Sequence, residues 1–286
     1  MGVPPCDRPG TLAAVSSRLA LFLAVGLLAV AAAGTVVGVT LATRQDPVQP
    51  EVLEGKPPVG DDLTTPAANE IRAAFESWPD GSIDTMQRLG REYPNDPQVQ
   101  LYRGIALIWA GYPGESGPVL RTAKRAGRDT IWEIRADDLL HPQYFTGYPL
   151  YEPVGPDPLL RRGSQLQAQG HQHSAARVFQ QAATRTPNDP EALVAAAVAR
   201  FDKEDPSASF SRLGPLTRRF PESQAVRFYL GLMLAWVGEG DEAVEQFRAA
   251  VELGPGTERG RAAASFLERV GAPDAETGAG SGDSTE

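Results

Sequence analysis

Apolar residues recur at the three- and four-residue intervals of a helix through most of the chain after residue 63. Leu101, Ile105 and Ile108 follow this spacing, and Phe228 and Leu232 follow it again near the other end. Runs of β-branched residues bounded by turns, which are typical of strands, are nearly absent. The pattern therefore predicts an all-α fold.

Three prolines follow one another at a constant interval of 34 residues: Pro187, Pro221 and Pro255. Each proline closes a segment whose apolar pattern predicts two short helices. A fixed period of this length indicates a stacked array of helix pairs. The alternative is an ordinary helical bundle with evenly spaced prolines, but then the matching small and aromatic residues would also have to coincide.

Small and large residues between the prolines have the order that two crossing helices need. In the last segment Gly231 and Ala243 permit close approach, Phe247 fills the space beside them, and Gly238 turns the chain. The segment before Pro187 has matching residues, namely Gly163, Gly170, Ala175, Phe179 and Ala182. These residues resemble the tetratricopeptide repeat (TPR) family. The resemblance implies a right-handed superhelical array of helix pairs that binds proteins rather than catalysing a reaction.

The four residues Pro94-Asn95-Asp96-Pro97 recur as Pro187-Asn188-Asp189-Pro190, and each Asp is expected to cap a helix that begins with proline. Pro113 and Pro118 lie near the turn of the second repeat, which predicts that the second helix of that repeat starts late. The chain then divides into two TPR-like repeats at 63–130, an aromatic and proline-rich insertion at 131–155, three TPR-like repeats at 156–257, a capping helix at 258–271 and a disordered acidic tail at 272–286.

Residues 19–43 are predicted to form a single transmembrane helix that precedes the array. The stretch from Leu19 to Ala42 has no charged residue, and a helix of this length exceeds the roughly 30 Å of a bilayer core. Arginines precede it and acidic residues follow it, so the positive-inside rule makes residues 1–18 a short cytoplasmic tail and places the repeats outside the cell membrane. The alternatives are a signal peptide cleaved near Ala33 and a repeat domain that faces the cytoplasm.

Two further features accompany the predicted anchor. Residues 44–62 contain four prolines among acidic residues and glycines, which predicts a semi-stiff linker. Gly34 and Gly38 form a G-x-x-x-G pair that would allow a weak homodimer through the membrane helix.

The net charge and the positions of the histidines argue against several kinds of partner and site. The formal net charge is −9, which argues against a nucleic-acid partner. His171 and His173 are two residues apart, without the four-residue spacing of helical metal pairs, and are interpreted as solvent-exposed residues of a turn. His141 follows Asp137 and Asp138, but no nucleophile accompanies them. We therefore expect no catalytic residue, no metal site and no cofactor, and hence no enzyme.

The TPR resemblance implies that the first helix of each repeat lines an inner groove. The predicted groove residues are Leu101, Ile105, Ile108, Trp109, Phe228, Leu232, Ala235 and Trp236. Ser164 and Val198 stand where the family places the asparagines that grip a terminal carboxylate. An apolar groove of this kind is expected to bind an amphipathic helix or an extended hydrophobic segment of a protein partner.

The insertion is too apolar for a free loop, and its prolines exclude one continuous helix after Leu140. It is expected to begin with a short helix from Thr130 to Leu140 and then either to pack on the array or to form an aromatic patch that binds a partner.

The expected function is that of a membrane-anchored scaffold or adaptor in cell-envelope assembly. The alternative is an accessory carrier or chaperone for a small ligand or a maturation enzyme, related to cytochromes or the cell wall.

Overall fold

The computed structural model describes residues 55–270, which form twelve α-helices and no strand. The all-α prediction is confirmed for these residues. The helices are α1 (Ala68–Glu76), α2 (Ser82–Glu92), α3 (Pro97–Trp109), α4 (Pro113–Ala126), α5 (Ile131–Leu140), α6 (Pro158–Ala168), α7 (Gln172–Arg185), α8 (Pro190–Val198), α9 (Ser207–Arg219), α10 (Gln224–Trp236), α11 (Gly240–Leu253) and α12 (Glu258–Arg269).

Between residues 55 and 270, no helix combines the length and the hydrophobicity that crossing a bilayer requires. The predicted transmembrane helix at 19–43, the pair Gly34 and Gly38, and the predicted tail at 272–286 lie outside the described residues.

Each helix packs mainly against helices that are near it in the chain. The pairs α1 with α2, α3 with α4, α6 with α7, α8 with α9 and α10 with α11 are in contact, and α10 also contacts α8 and α12. The buried apolar residues accordingly form successive clusters, one within residues 63–136, one within 151–233 and one within 243–267. A stacked array has this arrangement, because each unit buries its apolar surface on its neighbours.

The repeated Pro-Asn-Asp-Pro sequences cap helices as predicted. The carboxylate of Asp96 accepts from the backbone N–H groups of Gln98 and Val99, at 2.9 and 3.1 Å, ahead of Pro97 in α3. Asp189 accepts from the N–H of Glu191 at 3.0 Å and precedes Pro190 in α8. These caps satisfy N–H groups that have no partner within the helix.

The expected late start of the second helix in the second repeat is wrong. Helix α4 begins at Pro113, immediately after the turn at Gly111, and continues through Pro118. A proline at the first helical position removes only an N–H that has no intrahelical acceptor, so Pro113 starts the helix instead of delaying it.

Glycines set the distance between paired helices, as the small-residue pattern predicts. A Cβ atom at Gly163 in α6 would lie 2.4 Å from the ring of Phe179 in α7. At Gly231 in α10 a Cβ atom would lie 3.2 Å from Phe247 and from the carbonyl oxygen of Ala243 in α11. Gly238 has a φ of +87°, which allows the turn between α10 and α11. The same side-chain roles thus recur in two units.

The change Gly163→Ala is expected to lower the free energy of unfolding by about 1–2 kcal/mol. The added methyl must displace the fully buried ring of Phe179, and overpacking of this kind outweighs the gain in helix propensity. Denaturant unfolding followed by circular dichroism measures the effect. The matched change Gly114→Ala, where no atom lies within 4 Å, should leave stability unchanged or raise it by up to about 1 kcal/mol. Equal effects of the two changes would contradict the packing argument.

Helix α5 has no second helix to pair with. It packs on α3 and α4 in the way that α12 packs on α10 and α11, so it takes the place of the first helix of a unit. Its Thr130 cap and its end at Leu140 agree with the helix expected there. The chain then runs from residue 141 to 157 without a helix before α6 begins; we call this stretch the crossing segment.

Candidate functional site

The crossing segment packs on the array through Tyr151, which is fully buried. Its ring lies with its centre 5.4 Å from that of Phe179 in α7 and 5.2 Å from that of Tyr229 in α10. Its backbone N–H donates to the side chain of Gln167 in α6 at 2.9 Å, and its hydroxyl donates to Glu191 in α8. One residue of the segment therefore joins four helices. Of the two alternatives for the insertion, self-packing is the one that the structure shows at this residue.

Beneath Tyr151, a partly buried ion pair joins α8 to α12, in which Arg259 is buried and the Glu191 side chain is 25% exposed. The guanidinium of Arg259 donates to both carboxylate oxygens of Glu191, at 2.6 and 2.8 Å, and to the backbone carbonyl of Glu152 at 2.9 Å. Burial alone would lower the pKa of Arg259, but the hydrogen bonds and charge of Glu191 raise it. Burial raises the pKa of Tyr229 to about 12, although the backbone of Glu152 and the charge of Arg259 oppose this rise. Both groups thus stay protonated, and the crossing segment rests on a fixed positive charge.

A second polar cluster lies where α5 meets the crossing segment. Asp137 is buried; it accepts from the hydroxyl of Tyr148, and the Lys124 ammonium lies 2.7 Å from its other carboxylate oxygen. Burial alone would lower the pKa of Lys124, but Asp137, with the charges of Asp202 and Glu204, raises it. The lysine is therefore a fixed cation among acidic groups.

Lys203 holds the beginning of the crossing segment in the same way. Its ammonium, which is buried, donates to Asp138 in α5 and, at 2.8 Å, to the backbone carbonyl of Phe145. Tyr148 packs edge-on against Phe201, with ring centres 6.3 Å apart. The loop between α8 and α9 thereby fixes the crossing segment from one side.

Three potential metal ligands lie together in this cluster. Ligand atoms of Asp137, His141 and Glu204 are all within 4.8 Å of one another, and this is the one such group among residues 55–270. The ammonium of Lys124 lies 2.7 Å from Asp137 and 3.5 Å from Glu204, which is where a bound cation would contact the same oxygens. The lysine thus supplies the positive charge that these carboxylates need, and a metal ion would have to displace it.

The turn between α4 and α5 is joined to the start of α7. The carboxylate of Asp129 accepts from the backbone N–H of Ser174 at 3.0 Å and from its hydroxyl, so it caps α7 from a distant turn. His171 contacts the backbone carbonyl of Asp129 at 2.6 Å, and His173 contacts Glu133 at 2.8 Å. The interpretation of these histidines as solvent-exposed residues of a turn is therefore wrong, because both are partly buried between two units.

Asp129→Asn is expected to destabilise the domain by about 1 kcal/mol at pH 7, because the amide keeps one acceptor oxygen for Ser174 but loses the negative charge at the start of α7. Asparagine tolerates the positive φ of 63° at this position, so backbone strain does not add to the effect. Burial alone would raise the pKa of Asp129, but the hydrogen bonds from Ser174 lower it. A lowered pKa means that the stabilisation is complete above about pH 4 and is lost as the pH falls through the folded value.

Denaturant midpoints at pH 7 and pH 3 test this expectation. The difference between wild type and Asp129→Asn should shrink at the lower pH, because below the ordinary aspartate pKa the unfolded wild-type chain binds a proton that the folded carboxylate, with its lowered pKa, resists. Asp84→Asn, an exposed acidic position in the first turn of α2, serves as the control and should change stability much less. A difference that is the same at both pH values would argue against the charged cap.

A cleft with a volume of about 1090 Å³ opens beside α4, α7 and α9. Its walls are formed by α4, α7, α9 and the loop before α9, and Glu133 of α5 also lines it. Apolar lining comes from Tyr148, Ala176, Val198, Ala199, Phe201 and Ala208. The basic lining residues are Arg121, Lys124, Arg125, Arg128, Arg177, Arg200 and Arg212. Four acidic residues also line the cleft, namely Glu133, Asp202, Glu204 and Asp205.

The predicted groove residues lie in two separate parts of the core. Leu101 is only 2% exposed, so it belongs to the core and cannot line an open groove. Ile105 and Ile108 are partly buried against the cluster within 63–136, and Trp109 is also partly buried. Phe228, Leu232, Ala235 and Trp236 are partly buried against the clusters of the later units.

At Trp236 the crossing segment covers part of the predicted groove. The ring of Phe145 meets that of Trp236 edge-on, with centres 5.6 Å apart. The structure does not bring the two predicted sets of groove residues together, and it places a segment of the chain itself against the second set.

Sequence reasoning missed the polar groups that hold the crossing segment. Glu191, Arg259 and Lys124 lie on helices, where pattern alone assigns them to a solvated polar face. Lys203 lies in the loop between α8 and α9, where a lysine is likewise expected to be solvated. One signal was present: lysine occurs only three times in a chain rich in arginine, and two of the three lysines have these structural roles.

Comparison with protein-family models, with curated proteins and with solved structures finds no match. The resemblance to the TPR family therefore rests on the residues quoted for it above.

Proposed function

We propose that this chain is a membrane-tethered scaffold or adaptor, built as a right-handed superhelical array of TPR-like helix pairs, which binds protein partners in cell-envelope assembly. The membrane segment at 19–43 anchors it, and the repeat domain works outside the cytoplasm without catalysing a reaction. The helix pairs that contact mainly their neighbours support this proposal, because arrays of this kind present long surfaces for binding.

The observation that carries the proposal is the outer surface of the crossing segment. Tyr151 is buried, whereas Phe145, Leu150 and Val154 are 48%, 46% and 62% exposed. These three are half of the six large hydrophobic residues exposed among residues 55–270. A short stretch that is fixed from below and apolar on top is typical of a surface that binds a protein.

Photo-cross-linking in intact cells tests the proposal. A benzophenone amino acid at Leu150 or Val154 should give a covalent adduct with another protein, whereas the same group at exposed Leu253 in α11 should not. Adducts at all three positions, or at none, would contradict a specific partner surface here.

The orientation of the repeat domain across the membrane is tested with a cysteine at exposed Asp241 in a Cys6→Ser chain. An impermeant maleimide should label this cysteine in intact cells.

A carrier or chaperone of a small ligand is the second candidate, and the cluster of Asp137, His141 and Glu204 is the observation in its favour. Zinc titration by calorimetry separates the two functions. Binding that disappears in His141→Ala would support the carrier. The absence of binding heat up to millimolar zinc would exclude a zinc carrier and favour the scaffold function. This is the expected result, because the Lys124 ammonium already neutralises these carboxylates.

A further inference from the structure

The cleft described above lies where the array lacks a helix. Helix α5 packs on α3 and α4 as the first helix of a unit, but the crossing segment leaves no second helix beside it. The neighbouring second helices on either side are α4 and α7, and both line the cleft. An α-helix with its side chains is about 10–12 Å across, so a volume of about 1090 Å³ holds roughly two of its turns.

The arginines of the cleft have no acidic partner among residues 55–270. Arg125, Arg177 and Arg200 donate to neutral side-chain oxygens of Thr122, Ser174 and Gln180 respectively. Arg121, Arg128 and Arg212 make no side-chain hydrogen bond to a described residue, and none of the six arginines forms an ion pair there.

The acidic residues of the cleft, by contrast, mostly have partners. Glu133 contacts His173, and both Asp202 and Glu204 lie within 4.0 Å of the Lys124 ammonium. The cleft therefore presents uncompensated positive charge in a chain whose formal net charge is −9. Its floor is apolar at Val198, Ala199 and Phe201.

We infer that the cleft binds an acidic amphipathic helix of a partner protein, which occupies the position of the missing second helix. The apolar face of that helix packs on the floor, and its carboxylates pair with the arginines. A concave site with arginines on several walls and an apolar floor fits a helix better than it fits the plane of a membrane. The inference rests on the proposed function, because the ligand is a segment of a protein.

The test uses the full chain in a neutral detergent and a fluorescein-labelled peptide of 18 residues, with leucines on one helical face and glutamates on the other. Fluorescence anisotropy should show binding that weakens with salt, because charge pairs carry much of it. A peptide with glutamine in place of each glutamate should bind at least about tenfold more weakly.

Two double variants with the same change in net charge locate the site. Arg121→Gln with Arg212→Gln removes two cleft arginines that have no partner in the described fold, and should weaken peptide binding at least about tenfold. Arg185→Gln with Arg218→Gln changes exposed arginines of α7 and α9 outside the cleft, and should alter binding less than about twofold.

Equal binding by the two double variants would overturn the inference. A second result would also overturn the inference: the chain binds phosphatidylglycerol vesicles more tightly than the peptide, and the cleft variant alone loses this vesicle binding. The cleft would then be a lipid site. In either case, protein adducts at Leu150 and Val154 would still stand, so failure of the cleft and failure of the scaffold are distinguishable.

Discussion

Replacing Glu191 by glutamine is expected to lower the free energy of unfolding by about 2–4 kcal/mol, somewhat less than breaking a fully buried ion pair costs, because the Glu191 side chain is 25% exposed. The change keeps the size of the side chain but leaves the guanidinium of Arg259 buried beside Tyr151 and Tyr229 without its negative partner. The hydroxyl of Tyr151 also loses a charged acceptor. Denaturant unfolding followed by circular dichroism and by tryptophan fluorescence measures the loss.

A double variant separates the loss of the pair from the burial of a lone charge. Glu191→Met with Arg259→Met removes both charges and keeps apolar volume, so it should recover most of the stability that Glu191→Gln loses. Glu242→Gln, on the exposed first turn of α11, serves as the surface control and should change stability by less than about 0.5 kcal/mol. If Glu191→Gln cost no more than the surface change, the ion pair would not hold the crossing segment.

The features that could be predicted from sequence depend on residues close together in the chain. The capping role of Asp96 and Asp189 can be predicted from the sequence because the carboxylate acceptor and the backbone N–H donors are two or three residues apart. The contact between Gly163 and Phe179 is readable because two helices joined by a short turn must meet at fixed positions. Helix pairs follow from such local rules.

The crossing segment could be predicted only in part. Its composition required burial, and its prolines excluded a continuous helix, but neither property says which helices it contacts. Tyr151 meets Glu191 at a separation of 40 residues, and Arg259 meets Glu191 at a separation of 68. A repeat period does not specify contacts of this kind, because the segment interrupts the period.

The cleft could not be predicted for a related reason. Its arginines are spread over α4, α7, α9 and the loops that follow α4 and α8, where each one alone looks like an ordinary solvated residue. They come together because α5 lacks a second helix, which only the path of residues 141–157 reveals. The acidic net charge of the whole chain hides this local excess of positive charge.

Tyr151→Ala is expected to destabilise the domain by about 3–5 kcal/mol, the usual cost of deleting a fully buried large aromatic side chain. It removes the packing against Phe179 and Tyr229 and leaves Glu191 with one donor fewer. The crossing segment should then detach locally, since Tyr151 is its most buried contact. Limited digestion with chymotrypsin measures this, because Tyr144 and Phe145 remain as cleavage sites in the variant.

Two further variants in the same segment define what Tyr151 contributes. Tyr151→Phe keeps the ring contacts and loses only the hydrogen bond to Glu191, so it should cost about 1–2 kcal/mol and leave cleavage slow. Val154→Ala changes a side chain that is 62% exposed and should behave as wild type in stability and cleavage. Slow cleavage in Tyr151→Ala would mean that Lys203 and Asp138 hold the segment without the buried ring. Fast cleavage with the photo-cross-linked partner lost would show that the outer residues bind only while Tyr151 anchors them.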